Sequence, residues 1–287
     1  MTERARTGVV IVAFYPPDDL ETRLKTWGAT TVVVVDNTPV EHSRASGWFL
    51  SAGATAVIQN GTNRGVGAAL NQGIEYLAGL GLVWALICDQ DSVIGPAYLN
   101  GITESAGAFG EPIGIIGGLP SLGQEQTGRY LKNAHKWAEV INSGTLLSIH
   151  AWQAVGYYDE HLFVDLVDFE FSRRLSKRGF GVYLDPSLIF EHHFGEPNPF
   201  RVFGRVLFLN RYNPSRYYYR IRNAVYVLVH KSGTLGFAWG MHRFLIILRL
   251  LVGLPFLAFG NTAYISAAVA GLSHGLAGRL GPVQQQD

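Results

Sequence analysis

The chain has 287 residues but only one cysteine, Cys88, so it cannot form an internal disulfide or a cysteine-type zinc site. Charged residues are also few, at 16% of the chain compared with about 25% in an average soluble protein. Because 48% of the residues are hydrophobic, the chain can bury a core, and the intrinsically disordered class is excluded. The N-terminal residues lack a long apolar run with a small-residue cleavage site, so we expect no signal peptide and a cytoplasmic location.

Acidic residues are nearly absent from the last third of the chain. Residues 197–287 contain ten Lys and Arg but one acid, Asp287, whereas residues 1–196 contain 13 Lys and Arg and 21 acids. This asymmetry suggests that the basic part meets an anionic partner, and nucleic acid, a membrane surface and a phosphorylated substrate are the candidates. The sequence pI of about 7.9 is below the value of about 9 that marks nucleic-acid-binding domains, so we expect no nucleic-acid partner.

Short apolar runs alternate with helical segments along the first part of the chain. Four buried strands are predicted, over residues 8–14, 31–35, 54–59 and 82–88. Two helices are predicted between them, over residues 18–27 and 65–80. Further along, we expect strands over residues 113–118, 144–148 and 183–190, a loop over 118–136 and a helix over 165–179. This alternation predicts an α/β fold with a mostly parallel sheet, whose ligands bind at the carboxyl ends of the strands.

The sharpest polar feature is the pair Asp89 and Asp91, which flank Gln90 directly after the fourth predicted strand. Two neighbouring carboxylates need a cation, hydrogen-bond donors or water, because an uncompensated buried charge is strongly destabilising. Hard divalent cations prefer carboxylate oxygens and bridge to substrate phosphates. Two interpretations stay open from the residues alone: a metal site, or a turn in which one of the aspartates caps the next helix.

Two further polar segments follow predicted strands. Asp36 and Asn37 could bind a nucleotide or simply form an Asx-turn. The run from Asn63 to Gly67 opens a helix and resembles a phosphate-binding glycine loop. It is neither the G-x-G-x-x-G fingerprint nor a P-loop, so a dinucleotide-binding Rossmann class is not predicted.

The segment LFVDLVDFEFSRRL holds candidate acids for proton transfer. Asp165 and Asp168 are three residues apart and would share one face of a helix. They could form an acidic first turn that complements the helix dipole, or supply a general base for a nucleophilic hydroxyl. His192 ends a predicted strand, where a neutral imidazole could join Asp91 on a metal. Cys88 lies within an apolar strand and is predicted to be a core residue rather than a nucleophile.

Taken in order, these motifs resemble the nucleotide-sugar half of a family 2 glycosyltransferase with a GT-A fold. The motifs that carry this resemblance are VAFYPP (12–17), VVVVDN (32–37), the N-x-G-x-G-x-A-x-N run (63–71) and DQDS (89–92). Four later motifs resemble the bacterial rhamnosyltransferase branch of that family: NSGTLLS (142–148), GYYDEHLFVDLVDFEFSRRLSKRGF (156–180), EHHFGE (191–196) and RYYYRIRN (216–223). The resemblance covers about residues 8–225, and the order of the motifs is more specific than any one of them.

The resemblance implies a role for individual residues. Asp91 would bind Mg²⁺ or Mn²⁺ on the diphosphate, with His192 beside it, and Asp168 would be the base that deprotonates the acceptor hydroxyl. Many relatives carry a Glu-Asp pair, whereas Val167 precedes Asp168 here, so Asp165 stays an alternative base. The nucleotide, its ribose and the diphosphate would be contacted by Tyr15, Asp36, Asn63, Gly67, Asp89, Arg220 and Arg222.

The function implied by the resemblance is a metal-dependent, inverting transfer of L-rhamnose from dTDP-L-rhamnose to a saccharide acceptor. The acceptor would be carried on a polyprenyl lipid and used for cell-surface polysaccharide. Three alternatives stay open: a UDP-hexose donor, a non-catalytic nucleotide-binding protein, and a nucleic-acid binder built on the arginine–tyrosine segment.

The C-terminal part differs in composition from the rest. Residues 250–278 contain no Asp, Glu, Lys or Arg, but Pro255, Gly260, Asn261 and His274 make this stretch a poor membrane span. We expect a GT-A catalytic domain over residues 1–222, with its nucleotide-sugar half at 8–120 and its acceptor half at 121–222, and a helical tail over 223–287. We expect the tail to lie on the inner face of the plasma membrane, and packing against the catalytic domain or a second subunit of a homo-oligomer is the alternative.

Overall fold

The computed structural model describes residues 6–108, 112–121, 139–192, 197–202, 205–210, 212–257 and 261–283. By its contacts the chain divides into two units. The first unit consists of Met1–Glu160 and Val167–His193, and the second consists of His161–Leu166 and Phe194–Asp287. By this division the first unit ends at His193. The boundary predicted between the catalytic domain and the tail, at residues 222 and 223, stays a prediction.

The strands of the first unit form one eight-stranded sheet. They are β1 Thr7–Ala13, β2 Val32–Asp36, β3 Ala56–Gln59, β4 Trp84–Asp89, β5 Ser92–Val93, β6 Ile113–Pro120, β7 Thr145–Ser148 and β8 Gly181–His192. Their order across the sheet is β3-β2-β1-β4-β7-β6-β8-β5. The first four strands pair in parallel, as do β6 and β8, whereas β7 is antiparallel to both of its neighbours.

The central strands are buried on both faces, which explains their unbroken apolar runs. All five residues of β2 and six of the seven in β1 are buried. The helices of this unit are α1 Leu20–Lys25, α2 Ser46–Ser51, α3 Val66–Gly79, α4 Pro96–Gly107, α5 Ile149–Val155 and α6 Val167–Lys177. Small residues let α3 approach the sheet closely, because a Cβ built on Gly73 would lie 2.5 Å from Val10 Cγ1.

The described residues of the second unit include a hairpin of β9 Pro197–Val202 and β10 Arg205–Asn210. Its helices are α7 Pro214–His230, α8 Ser232–Leu235, α9 Phe237–Leu257 and α10 Ala263–Leu276. Asn213 caps α7 by accepting a hydrogen bond from the Arg216 amide at 2.9 Å. Helices α7 and α10 pack at close range, because a Cβ on Gly271 or Gly275 would lie 2.7 or 2.6 Å from a backbone oxygen of α7.

The sequence pattern predicted the architecture well. The α/β class, the mostly parallel sheet and the helical C-terminal part are confirmed. Most of the loop predicted over residues 118–136 lies outside the described residues, and the part that is described continues β6 to Pro120. Among the described residues, no helix is both long enough and apolar enough to cross a bilayer.

Candidate functional site

Three parallel strands end at one edge of the sheet and bring the predicted nucleotide-side residues together. In the β1–β2 ladder Ala13 pairs with Asp36, and in the β1–β4 ladder Val12 pairs with Asp89. Tyr15 follows β1 at the same edge. The carboxyl ends of parallel strands are the place where ligands of open α/β sheets bind.

Asp36 is fully buried and organises the loop that follows β2. Its Oδ1 accepts a hydrogen bond from the Thr38 amide at 2.9 Å, and its Oδ2 accepts one from the Ser43 hydroxyl at 2.5 Å. The first contact is the Asx-turn that the sequence left open. Asp36 therefore fixes the conformation of the loop that follows β2, and a direct contact with a nucleotide stays a prediction.

Tyr15 offers an exposed aromatic surface at this edge. Half of Tyr15 is exposed, and its ring lies 5.6 Å from the ring of His42. The backbone of Tyr15 has a φ of +51°, which is uncommon outside glycine, and its amide donates to Thr38 Oγ1 at 2.8 Å. An aromatic ring held in a fixed backbone conformation is suited to stacking on a nucleotide base.

The loop from Asn63 to Gly67 joins the same edge through side-chain contacts. Asn63 Oδ1 accepts from the amide of Gly65, whose carbonyl accepts from Asn37 Nδ2 at 3.0 Å. Gly67 is needed for close packing, because a Cβ there would lie 3.1 Å from the carbonyl oxygen of Asp159. The structure thus places Asn63 beside the Asp36–Asn37 turn and Gly67 against a different segment of the unit.

The Asp89-Gln90-Asp91 turn is held from two sides. The amide of Asp89 donates to Ser143 Oγ at 3.1 Å, and Ser143 Oγ lies 2.7 Å from Ser92 Oγ. On the other side, the Gln90 side chain pairs with the backbone of Phe14: Oε1 accepts from its amide and Nε2 donates to its carbonyl, both at 2.8 Å. Gln90 therefore ties this turn to the residue that precedes Tyr15.

The donor atoms near this turn suit a hard divalent cation. Asp91 is exposed, Asp89 is half-buried, and carboxylate oxygens are the ligands that Mg²⁺ and Mn²⁺ prefer. In the β5–β8 ladder His192 pairs with Ser92, next to Asp91 in the sequence, although its side chain lies outside what the structure describes. Within the described part of the chain no three His, Cys, Asp or Glu side chains group as a metal site.

Asp168 is the second residue of α6 and is half-buried. Its Oδ1 accepts from the Phe169 amide at 2.9 Å. Its neighbour Tyr158 stacks on Phe171, one turn further along α6, with ring centroids 4.0 Å apart. Burial raises the pKa of the Tyr158 phenol, and the negative charges of Asp168 and Asp89 raise it further, against the effect of Arg174.

The Tyr158 hydroxyl is buried, and no described group forms a hydrogen bond with it. An unpaired buried hydroxyl destabilises a fold by about 1–3 kcal/mol. We expect Tyr158→Phe to raise the melting temperature by a few degrees. The matched control is Tyr98→Phe, because the Tyr98 hydroxyl donates to the Gly144 carbonyl at 2.5 Å, and this variant should be less stable than the wild type. Calorimetry on both variants checks the prediction, and a destabilised Tyr158→Phe variant would contradict it.

Two other acids of this segment, Glu170 and Asp165, each form an ion pair with an arginine. Glu170 is fully buried and accepts two hydrogen bonds from Arg174 Nε, at 2.8 and 2.9 Å. Asp165, the alternative base, has its Oδ2 3.2 Å from Arg216 Nε in the second unit.

The two predicted diphosphate-binding arginines lie on α7 in the second unit and differ in exposure. Arg220 is half-buried, with its guanidinium 5.0 Å from the centre of the Tyr212 ring. Arg222 is only 1% exposed, and it donates to the carbonyls of Leu162 at 2.9 Å and Gly281 at 2.5 Å. The Arg222 guanidinium is thus directed to the backbone of its own unit, and contacts of Arg220 and Arg222 with a diphosphate stay predictions.

Several residues that shape the site had no role assigned from the sequence. Gln90, Ser143 and Tyr158 act through contacts between residues far apart in the chain. Only their position inside the recognised motifs DQDS, NSGTLLS and GYYDEHL could have drawn attention to them. Cys88 is buried and free, and burial, aided by the charge of Asp89, raises the pKa of its thiol. Cys88 is therefore the inert core residue that the sequence predicted.

No protein-family model matches the chain. A curated relative is the dTDP-rhamnosyl transferase RfbF of Shigella flexneri, which is 29% identical over 188 residues. That match covers 60% of this chain and 62% of RfbF, so it spans less than two thirds of the relative. It bears out the predicted resemblance to the rhamnosyltransferase branch of family 2 glycosyltransferases.

Two solved structures illustrate the similarity of fold. The mannosyltransferase PcManGT from Pyrobaculum calidifontis, in complex with GDP-Man and Mn²⁺, has a TM-score of 0.54 at 14% identity, over 95% of this chain and 75% of that chain. Residues 1–349 of S. aureus TarS have a TM-score of 0.56 at 13% identity, over 97% of this chain and 82% of that chain. The fold is therefore the GT-A fold that the motifs predicted.

Proposed function

We propose that this protein is a metal-dependent, inverting glycosyltransferase that moves L-rhamnose from dTDP-L-rhamnose to a saccharide acceptor. The observation that carries the proposal is that β1, β2 and β4 end at one edge of the sheet, where Asp36 pairs with Ala13 and Asp89 pairs with Val12. Asp168 belongs to the same unit as this edge and is the second residue of α6. A base near a donor-side acidic turn is the arrangement that sugar transfer requires. The relative RfbF, named as a dTDP-rhamnosyl transferase, supports the choice of donor.

The edge of the sheet is suited to a nucleotide diphosphate. Tyr15 would stack on the base, with the turn at Asp36 and the neighbouring Asn63 lining the pocket around it. Asp89 would lie near the ribose or the donor sugar. Asp91 and His192 would hold a divalent cation on the diphosphate. His192 pairs with Ser92, the residue that follows Asp91, in the β5–β8 ladder. When bound, that cation would neutralise the negative charge that develops on the departing diphosphate.

Asp168 would act on the acceptor. The acceptor hydroxyl must lose its proton as its oxygen attacks the anomeric carbon, and one carboxylate base within hydrogen-bond reach is sufficient for this step. The C–O bond to the diphosphate breaks on the opposite side of the carbon, and the proton is held on the Asp168 carboxylate. A single base facing a leaving group gives direct displacement with inversion, and no covalent intermediate is needed.

The donor can be tested by its effect on stability. A ligand that binds only the folded state raises the melting temperature. We expect dTDP with Mn²⁺ to raise the melting temperature of the full chain more than UDP or GDP does, and we expect a chelator to remove most of the shift. A larger shift with UDP would favour the UDP-hexose alternative and overturn the donor. A shift without any turnover of sugar would favour the non-catalytic nucleotide-binding alternative.

A lipid-linked acceptor would bring the protein to a membrane surface, and α10 has a suitable face. Four apolar residues spaced four, three and four apart lie exposed on it: Ile265, Val269, Leu272 and Leu276. Helix α10 contains no charged residue, and the exposed Arg279 follows it within a strongly basic part of the chain. An apolar helix face in a basic region matches the surface of an anionic bilayer. We propose that this stripe lies in the headgroup region on the cytoplasmic side.

The stripe predicts lipid-dependent binding. We expect Val269→Glu to reduce co-flotation with vesicles that contain anionic phospholipid by about tenfold, because a charge at the centre of the stripe opposes burial in lipid. The matched control is Ser266→Glu, which adds the same charge to α10 away from the stripe and should bind nearly as the wild type does. Equal binding by both variants would contradict the proposal, and a change of oligomeric state in Val269→Glu would indicate a second copy of the chain on this face.

A further inference from the structure

The segment His161–Leu166 of the second unit, called here the strap, has an unusual backbone. Phe163, Asp165 and Leu166 have φ values of +66°, +60° and +68°, and none of them is glycine. A left-handed conformation is unfavourable for L-residues and persists only where the surrounding structure imposes it. Because Leu166 is bonded to Val167, the first residue of α6, the strap leads directly into the turn of helix that carries Asp168.

Two neighbouring residues of α7 impose this conformation. Asn223 is fully buried, and its Nδ2 lies 3.0, 2.8 and 2.8 Å from the carbonyl oxygens of Leu162, Val164 and Asp165. Arg222 donates from Nε to Asn223 Oδ1 at 2.9 Å, which orients the amide so that Nδ2 faces the strap. Arg222 also donates to the carbonyl of Leu162. The pair therefore satisfies strap carbonyls that would otherwise be buried without donors.

Two further side-chain contacts with α7 hold the strap. The Phe163 ring stacks on Tyr219, one turn before Asn223, with centroids 4.9 Å apart. Asp165 forms the ion pair with Arg216 described above. Every one of these strap contacts comes from α7, within the RYYYRIRN motif. Side chains from two successive turns of α7 therefore fix the backbone conformation of the strap.

We infer that Arg222 and Asn223 are positioning residues: they fix the backbone of the strap up to Leu166, the residue bonded to the first residue of α6, and through that bond they constrain the start of the helix that carries Asp168. This inference rests on the proposed function, because it assigns the pair a role in the reaction at Asp168. Neither residue contacts the reacting atoms in this account. A base displaced by about 1 Å loses on the order of 100-fold in rate, so the loss should appear in kcat rather than in donor binding.

The test compares Asn223→Ala with the wild type in the full chain. We expect kcat to fall about 100-fold, with KM for the donor and the Mn²⁺-dependent stabilisation by dTDP unchanged. The control is Ile221→Ala on the same helix, because Ile221 is buried against Gly271 of α10 rather than on the strap. Ile221→Ala should lower the melting temperature while kcat stays close to that of the wild type. If Asn223→Ala fails to fold, Arg222→Lys replaces it, since an ammonium cannot reproduce the guanidinium fork.

The outcomes separate this inference from the proposed function. If the wild type turns over the nucleotide sugar and Asn223→Ala has the same kcat, the positioning role is wrong and the proposed function stands. Equal losses of kcat in Asn223→Ala and Ile221→Ala, at equal losses of stability, also overturn it, because the pair is then merely structural. A wild-type chain without turnover on any nucleotide sugar overturns the proposed function and the inference with it. An Asn223→Ala variant with reduced kcat and intact donor binding supports the inference.

Discussion

Asp168→Asn is expected to reduce kcat by about 10²–10⁴-fold, the range found when a general base is removed. The substitution keeps the size and polarity of the side chain, so the cap on the Phe169 amide should persist. Nucleotide binding should be retained, because the donor-side residues lie on the ends of β1, β2 and β4 rather than on α6. Steady-state kinetics, combined with the Mn²⁺-dependent shift in melting temperature, measure the two effects separately.

The matched comparison is Asp165→Asn, which makes the same chemical change three residues earlier. Asp165 is paired with Arg216, so its loss should cost much less activity than the loss of Asp168. If Asp165→Asn abolishes turnover and Asp168→Asn does not, the base has been assigned to the wrong carboxylate. Substantial turnover in both variants would mean that neither carboxylate is the base.

Asp91→Asn is expected to lower kcat by about 10²–10³-fold, because a bound cation supplies several kcal/mol of charge stabilisation and each factor of ten in rate is about 1.4 kcal/mol. The variant should also lose most of the additional stabilisation that Mn²⁺ gives to the dTDP complex. Asp91 is exposed, so the stability of the free protein should change little. Titrating Mn²⁺ at a fixed dTDP concentration measures the effect directly.

A second exposed acid provides the control for Asp91. Glu75→Gln removes one negative charge from the surface of α3 and should leave metal dependence and kcat unchanged. An Asp91→Asn variant that responds to Mn²⁺ as the wild type does would exclude Asp91 as a metal ligand. The proposed cation would then have to be bound by other oxygen donors.

The elements that carry the nucleotide side could be predicted from the sequence because burial on both faces makes each strand a continuous apolar run. Val32–Asp36 is the clearest case: four valines are followed by the aspartate that ends the strand, and all five residues are buried. The polar residue directly after such a run must lie at the strand end, so Asp36 and Asp89 were placed correctly at one edge. The motif order then supplied the GT-A class.

Contacts between distant parts of the chain could not be predicted in this way. Gln90 pairs with Phe14 across 76 residues of sequence, and nothing local to either residue indicates it. Arg222 illustrates the same limit, because an arginine in a basic segment is expected to be exposed to solvent. Its burial depends on carbonyls of Leu162 and Gly281 that only the folded unit brings to it.

The measurement that tests the central claim most directly is the release of dTDP from dTDP-L-rhamnose by the full-length wild-type protein, with Mn²⁺ and a saccharide acceptor extracted on its lipid. We predict dTDP release with transfer of rhamnose to the acceptor and inversion at the anomeric carbon. We predict that a chelator and the Asp168→Asn substitution each reduce the rate of this release by at least about 100-fold. Transfer with retention of configuration, or transfer from a UDP-hexose in preference to dTDP-L-rhamnose, would contradict the account.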